Sequence, residues 1–280
     1  MLVIGGTGTV GTQVVRALTD RGAKVRVMTR TLGARSGAEY VAGSLESPET
    51  LSSAFDRVSK VYLLTPLAEN ETELGMNAVR AAQSSGVRHI VFQSVHRAAD
   101  APRVPHFKTK LDIIEGLRSS GIPYTVLSPN NFFQNDLGLE EPITRYGVYA
   151  APIGGVGCSR VDVRDIGDAA ATTLLEDGHE GRDYPLVGPD ILTGEGCAAV
   201  WARHLGRKVA YGGDDLDAWA EAVRSMMPEW LIHDLCVMFA YFQEHGLKAS
   251  EEEVEVVTRL LGRPPRSFDE FVAEIAPGWR

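Results

Sequence analysis

Two passages of the 280-residue chain have residue types and spacings that do chemistry. The first is Gly5-Gly6-Thr7-Gly8-Thr9-Val10-Gly11, which meets the pattern Gly-x-Gly-x-x-Gly from Gly6 and Gly-x-x-Gly-x-x-Gly from Gly5. It lies between the apolar run Leu2-Val3-Ile4 and a helical pattern, so it reads as strand, tight turn, helix. A turn without side chains lets a pyrophosphate approach the backbone, and the helix N-terminus then meets the anion with free N–H groups. Gly5, Thr7, Gly8, Thr9, Val10 and Gly11 are therefore expected at the phosphates of a dinucleotide. The second passage is His106-x-x-x-Lys110, with Ser94 upstream. Residues four apart share a helix face, so both side chains can address one ligand. Lys110 can donate to ribose hydroxyls, and its charge favours a polyanion. His106 can supply a proton near neutrality, because free imidazole titrates near about 6.5. Other roles stay open: His106 as a helix cap or cleft wall, Lys108 in place of Lys110 if the helix register shifts, and Ser94 as an ordinary strand-end hydroxyl.

Alternating elements must position these groups. Val10, Val14, Val15 and Leu18 recur at helical spacing before Asp20-Arg21-Gly22. Lys24–Thr29 reads as a second strand ending in Thr29-Arg30-Thr31, without an acid. A carboxylate there would hold the ribose hydroxyls of NAD, whereas Arg30 can pair with a 2′-phosphate, so NADP(H) is the expected cofactor. Further strands are expected at Glu39–Gly43, Lys60–Leu64 and His89–Gln93, with helices from Ser47 to Phe55 and from Glu71 to Ser85. Ligands of such sheets lie beyond the carboxyl ends of the strands, which places Leu64, Thr65 and Pro66 beside the cofactor. A helix from about Phe107 to Ser119 carries Lys110, and a sixth strand runs from Gly121 to Leu127. The pattern predicts a doubly wound parallel α/β sheet of the Rossmann type.

The rhythm changes after Asn135, where glycines and prolines separate short strands. Residues 1–135 are read as the cofactor-binding core. Residues 136–280 are read as a mixed region that returns elements to the core and forms a smaller α+β substrate-binding part. Met226, Met227, Trp230, Phe239, Tyr241 and Phe242 either line a flat pocket or form the core of a helix pair. Asn131, Phe132 and Phe133 are the nearer candidates for substrate contact.

The net charge is −9, with no long basic run, which disfavours direct binding to nucleic acid. No apolar stretch is long enough to span a bilayer, and the N-terminus lacks the pattern of a signal peptide. Cys158, Cys197 and Cys236 are widely spaced and match no metal or redox motif, so a cytoplasmic protein with reduced thiols is expected.

Four passages together resemble the NmrA-like, atypical short-chain dehydrogenase/reductases. They are the glycine turn, His106-Phe107-Lys108-Thr109-Lys110 with Glu115, Ser120 to Phe132, and Leu261-Gly262-Arg263-Pro264-Pro265-Arg266-Ser267-Phe268. The resemblance implies an extended Rossmann fold and an NADP(H) site, with Pro129, Asn130 and Phe132 supporting the nicotinamide and Lys110 orienting its ribose. Members include quinone reductases, a triphenylmethane-dye reductase and redox sensors without turnover. Family members often carry Arg just before Pro-Asn, where this chain has Ser128. Typical short-chain dehydrogenases carry Tyr-x-x-x-Lys, and here His106 takes the tyrosine's place. Reduction of a simple ketone makes a basic alkoxide that needs a strong proton donor. Reduction of a quinone makes a far less basic anion. The expected function is thus an NADPH-dependent reductase of a quinone-like or conjugated aromatic substrate. The alternative is a sensor of NADP(H) acting through a protein partner. A homodimer is the other assembly considered.

Overall fold

The computed structural model describes residues 1–33 and 37–279. Its strands are β1 (Leu2–Ile4), β2 (Arg26–Thr29), β3 (Glu39–Ala42), β4 (Lys60–Leu63), β5 (His89–Gln93), β6 (Tyr124–Pro129), β7 (Val148–Tyr149), β8 (Asp183–Leu186) and β9 (Ala210–Tyr211). Its helices are α1 (Thr9–Asp20), α2 (Leu51–Phe55), α3 (Glu71–Ser84), α4 (Pro105–Ser120), α5 (Val163–Leu175), α6 (Gly194–Leu205), α7 (Leu216–Val223), α8 (Glu229–His245), α9 (Glu251–Leu261) and α10 (Phe268–Ile275).

Seven strands form one sheet in the order β3-β2-β1-β4-β5-β6-β8. Pairing is parallel, with Val3 opposite both Val27 and Tyr62. The expected doubly wound parallel sheet is present. A parallel sheet covered on both faces buries its strands completely, which is why all five residues of β5 are buried and read as a near-continuous apolar run. Leu2, Ile4, Val61, Leu63, Ile90 and Phe92 share a core with Leu74 and Ala78 of α3 and Ile113 and Leu117 of α4. On the other side α1 packs against α5. The strand order reverses between β1 and β4. Ligands of open α/β sheets bind at the carboxyl ends of the strands flanking such a reversal.

Two compact units interleave along the chain. One comprises Met1–Ala99, His106–Pro129 and Val163–Pro185; the other takes Asp100–Pro105, Asn130–Asp162 and the chain from Leu186 onward. Among the described residues no helix is long and apolar enough to cross a membrane.

The second unit is organised on a buried arginine. Arg160 is 1% exposed. Its Nη2 donates to Asp136 Oδ1 at 2.7 Å and to the Phe132 carbonyl at 2.6 Å. Its Nη1 donates to the Tyr149 hydroxyl at 3.0 Å and its Nε to Asn131 Oδ1 at 3.0 Å. Trp201 Nε1 donates to the second Asp136 oxygen at 3.0 Å. The guanidinium lies 5.4 Å from the centroid of the Phe268 ring. Burial opposes the charge, but Asp136 and Tyr149 outweigh it and raise the arginine's pKa further. Phe133 is fully buried against Phe268 and Phe271. Phe133, expected near a substrate, is instead part of an aromatic floor, while the half-buried Asn131 accepts from Arg160.

Several boundaries move. β2 begins at Arg26 rather than Lys24, and α4 begins at Pro105, where proline suits the first helical position. Helix α9 has no counterpart in the sequence reading, although Ser250 and Glu253 form a full capping box at its start. Phe239 and Phe242 are buried core, whereas Met226 is 74% exposed. The two phenylalanines are therefore packing residues and not pocket walls.

Candidate functional site

The glycine turn is built as its spacing requires. Gly5 follows β1 with φ of +80°, a conformation that favours glycine. A Cβ on Gly11 would lie 2.0 Å from the Gly5 carbonyl oxygen, so any side chain there would push α1 off the turn. Gly8 is the N-cap of α1, with extended backbone and no side-chain cap, and the first turn carries no acidic residue. The leading N–H groups of α1 are therefore left for an external acceptor, at the end of the helix where its dipole is positive.

A cavity of about 600 Å³ opens at this end of the sheet. Gly5, Thr7 and Gly8 line it from the turn, Thr29 and Arg30 from the end of β2, and Leu64, Thr65 and Pro66 from the segment after β4. Thr9, Val10 and Gly11 form the first turn of α1, and Val10 is buried. Arg30 is exposed on the cavity rim. Glu46, from the turn after β3, borders the same cavity. This acid lies well beyond β2 in sequence, so reading the strand end alone did not find it. The uncapped helix, the glycine turn and the exposed guanidinium fit a dinucleotide.

Lys110 sits behind Thr65. It is 7% exposed, and its Nζ donates to Thr65 Oγ1 at 2.8 Å and to the Glu71 carboxylate. Thr65 Oγ1 lies 2.5 Å from Glu71 Oε1, and Thr109 Oγ1 donates to Glu71 Oε2 at 2.9 Å. The Lys110 ammonium is 5.7 Å from the centroid of the Phe92 ring. Burial lowers the Lys110 pKa, and the Glu71 charge and hydrogen bond oppose that shift. Lys108 lies on the exposed face of α4, paired with Asp112 at 2.7 Å, so the helix register puts Lys110 inward. Glu71 was read from sequence only as the start of a helix. Its signal was an acid at a helix N-terminus, which marks most helices and singles out none.

The remaining predicted residues lie at the ends of β5 and β6 and in the first turn of α4. His106 is half-buried in the first turn of α4, edge-on to Phe107 with centroids 4.7 Å apart. Ser94 is 3% exposed, and its N–H joins the end of β5 to the Leu127 carbonyl at 2.8 Å. Pro129 closes β6. Asn130 is buried, donating from Nδ2 to the Leu247 carbonyl at 2.7 Å and accepting from the Asn131 N–H at 2.8 Å. The Phe132 carbonyl accepts from Arg160. Asn130 and Phe132 thus tie together the backbone of the second unit. Ser128 donates to Asp183 Oδ1 at 2.7 Å.

Comparison with known proteins identifies the family. The model of the NmrA-like family matches residues 1–272. An NAD(P)H azoreductase of Xenophilus azovorans is 33% identical, over 97% of this chain and 96% of its own length. A (4-alkanoyl-5-oxo-2,5-dihydrofuran-3-yl)methyl phosphate reductase of Streptomyces griseus is 34% identical, over 99% of this chain and 98% of its own. The crystal structure of an NADPH-dependent quinone oxidoreductase of Escherichia coli, complexed with NADPH, superposes with a TM-score of 0.88 at 24% identity, covering 98% of this chain and 99% of that one, and shares its fold. With its glycine turn, its reversed sheet order and a family match running almost end to end, the chain belongs to the NmrA-like family.

Proposed function

We propose that this chain is an NADPH-dependent reductase that passes hydride to a quinone or related conjugated aromatic acceptor, working in the cytoplasm. The observation that carries the reading is a shared wall. Thr65 lines the cavity that holds Arg30 and the glycine turn, and its hydroxyl accepts from Lys110. One cavity thus offers an uncapped helix end for a pyrophosphate, a guanidinium for a 2′-phosphate and an ammonium one residue behind the wall for a ribose. The two curated relatives are both named as reductases.

A bound NADPH supplies the hydride. The chain's own contribution is position. Gly5 and Gly8 keep the turn open, Arg30 selects the phosphorylated ribose, and Lys110 fixes the sugar nearest the reacting ring. His106, rather than a tyrosine, stands four residues before the lysine. That suits a product anion of low basicity, which water or imidazole can protonate.

The test is NADPH consumption against quinones, azo dyes, cationic dyes and aryl ketones, with Lys110→Ala run beside the wild type. Turnover with the conjugated acceptors that falls in the variant supports the reading. Tight NADPH binding with no turnover on any acceptor overturns it in favour of a cofactor-sensing regulator. Separately, Arg30→Ala should weaken NADPH binding about tenfold, the worth of one charge-assisted contact, and leave NADH unchanged. Equal losses overturn the cofactor preference.

A further inference from the structure

We propose that Glu71 is the positioning residue of this site: it holds Lys110 charged and aimed at the ribose position. The proposal rests on the reading that Lys110 serves a bound dinucleotide.

The packing that brings the two together is local and tight. A Cβ on Gly75 would lie 2.5 Å from Ile113 Cδ1 and 2.7 Å from its Cγ1, so a side chain there would displace Ile113, and glycine lets α3 approach α4 without that shift. Glu71 stands one turn before Gly75 on α3, and Lys110 one turn before Ile113 on α4. The close crossing therefore sets carboxylate against ammonium. Glu71 is fully buried. Both its oxygens are engaged, Oε1 by Thr65 and Lys110 and Oε2 by Thr109. At the first position of α3 it also meets the positive end of the helix. The carboxylate is thus fixed before any ligand arrives.

Among the described residues three groups face the Lys110 ammonium: Glu71 from α3, Thr65 from the segment after β4 and Phe92 from β5. Of these only Glu71 bears charge. The surroundings otherwise favour the neutral amine, since burial costs an ammonium its hydration. With Glu71 in place, the ammonium spends one N–H on the carboxylate and one on Thr65, and keeps a third for a ligand. Without that charge the lysine should become neutral at a lower pH and lose its attraction for a polyanion.

The experiment measures NADPH affinity from pH 6 to 9 for wild type, Glu71→Gln, Glu71→Asp and Lys110→Met. Glutamine keeps the shape and removes the charge. Glu71→Gln should bind within about threefold of wild type at the acid end and about tenfold more weakly at the alkaline end, converging on Lys110→Met. Wild type should lack this alkaline loss relative to Glu71→Gln. A purely structural role would lower affinity equally at every pH, and a parallel profile overturns the proposal. Glu71→Asp restores the charge at a shorter reach, so it should bind more weakly without the alkaline loss. If Glu71→Gln does not fold, NMR of Lys110 Nζ in the wild type decides: an ammonium that persists at pH 9 supports the proposal, and a neutral amine below that pH overturns it. Unchanged NADPH affinity in Lys110→Met refutes the underlying reading instead, so the two failures are distinguishable.

Discussion

Each compact unit of this chain buries a cation against a carboxylate, and the two pairs are finished differently. Around Arg160 every nitrogen of the guanidinium has a partner, and both oxygens of Asp136 are occupied. Around Lys110 the carboxylate is saturated, but the ammonium uses two of its three donors and stands behind the wall of a cavity. Burial and charge alike fail to tell these pairs apart. Leftover donor capacity does. A saturated network fixes a fold, and one that keeps a donor beside a cavity is built to receive something.

The largest effect should come from the saturated pair. Arg160→Met leaves Asp136 buried without its countercharge and strips partners from Tyr149, Asn131 and the Phe132 carbonyl. We expect a loss of about 3–5 kcal/mol, the range for breaking one side of a buried pair. The midpoint of urea unfolding measures it. A loss below about 1 kcal/mol, a surface-pair value, would break the comparison.

Lys110→Met should act mainly on binding, lowering NADPH affinity by about 1.5–3 kcal/mol, the value of a hydrogen bond to a charged group. Its cost in stability comes from stranding Glu71. The double variant Lys110→Met/Glu71→Gln should therefore regain stability without regaining affinity, and urea unfolding and NADPH titration read the two separately. Recovery of both would make the lysine a structural group like Arg160.

The two pairs also differ in how far the sequence disclosed them. Local chemistry was legible. The glycine turn, the strand-end Arg30 and the spacing from His106 to Lys110 depend on neighbours in the chain, and the turn and the inward helix register are present in the structure. Glu71 was not legible, because its meaning lies in how α3 crosses α4, a contact made 39 residues apart. Arg160 and Asp136 lie 24 residues apart, in a stretch of short helices and bridges with no periodic signal to align them. Phe239 and Phe242 stay open between pocket and core in the sequence for a related reason: an apolar stripe specifies burial but not whether protein or ligand does the burying. Helix α9 is the exception, since Ser250 and Glu253 announce it locally.

A buried imidazole that burial holds neutral sharpens the comparison from its weakest end. His89 is 2% exposed, and its Nε2 lies 2.9 Å from Thr125 Oγ1. Thr125 spends its own proton on the His179 carbonyl at 2.6 Å, so it must accept from His89. The proton therefore belongs on Nε2, and Nδ1 is buried with no hydrogen-bond partner. Burial lowers the pKa of this imidazole, with Glu180 opposing the shift and Lys60 and His179 adding to it. The sign follows from linkage: below about pH 6.5 the unfolded chain takes up a proton that the folded chain refuses, so stability falls as pH drops through that value. One proton contributes at most about 1.4 kcal/mol per pH unit. His89→Asn removes the titrating group and should flatten that part of the stability profile between pH 7 and 5, at a constant cost for the lost ring. An unchanged slope in the variant would show that the folded state accepts this proton, and that a buried donor here needs no partner after all.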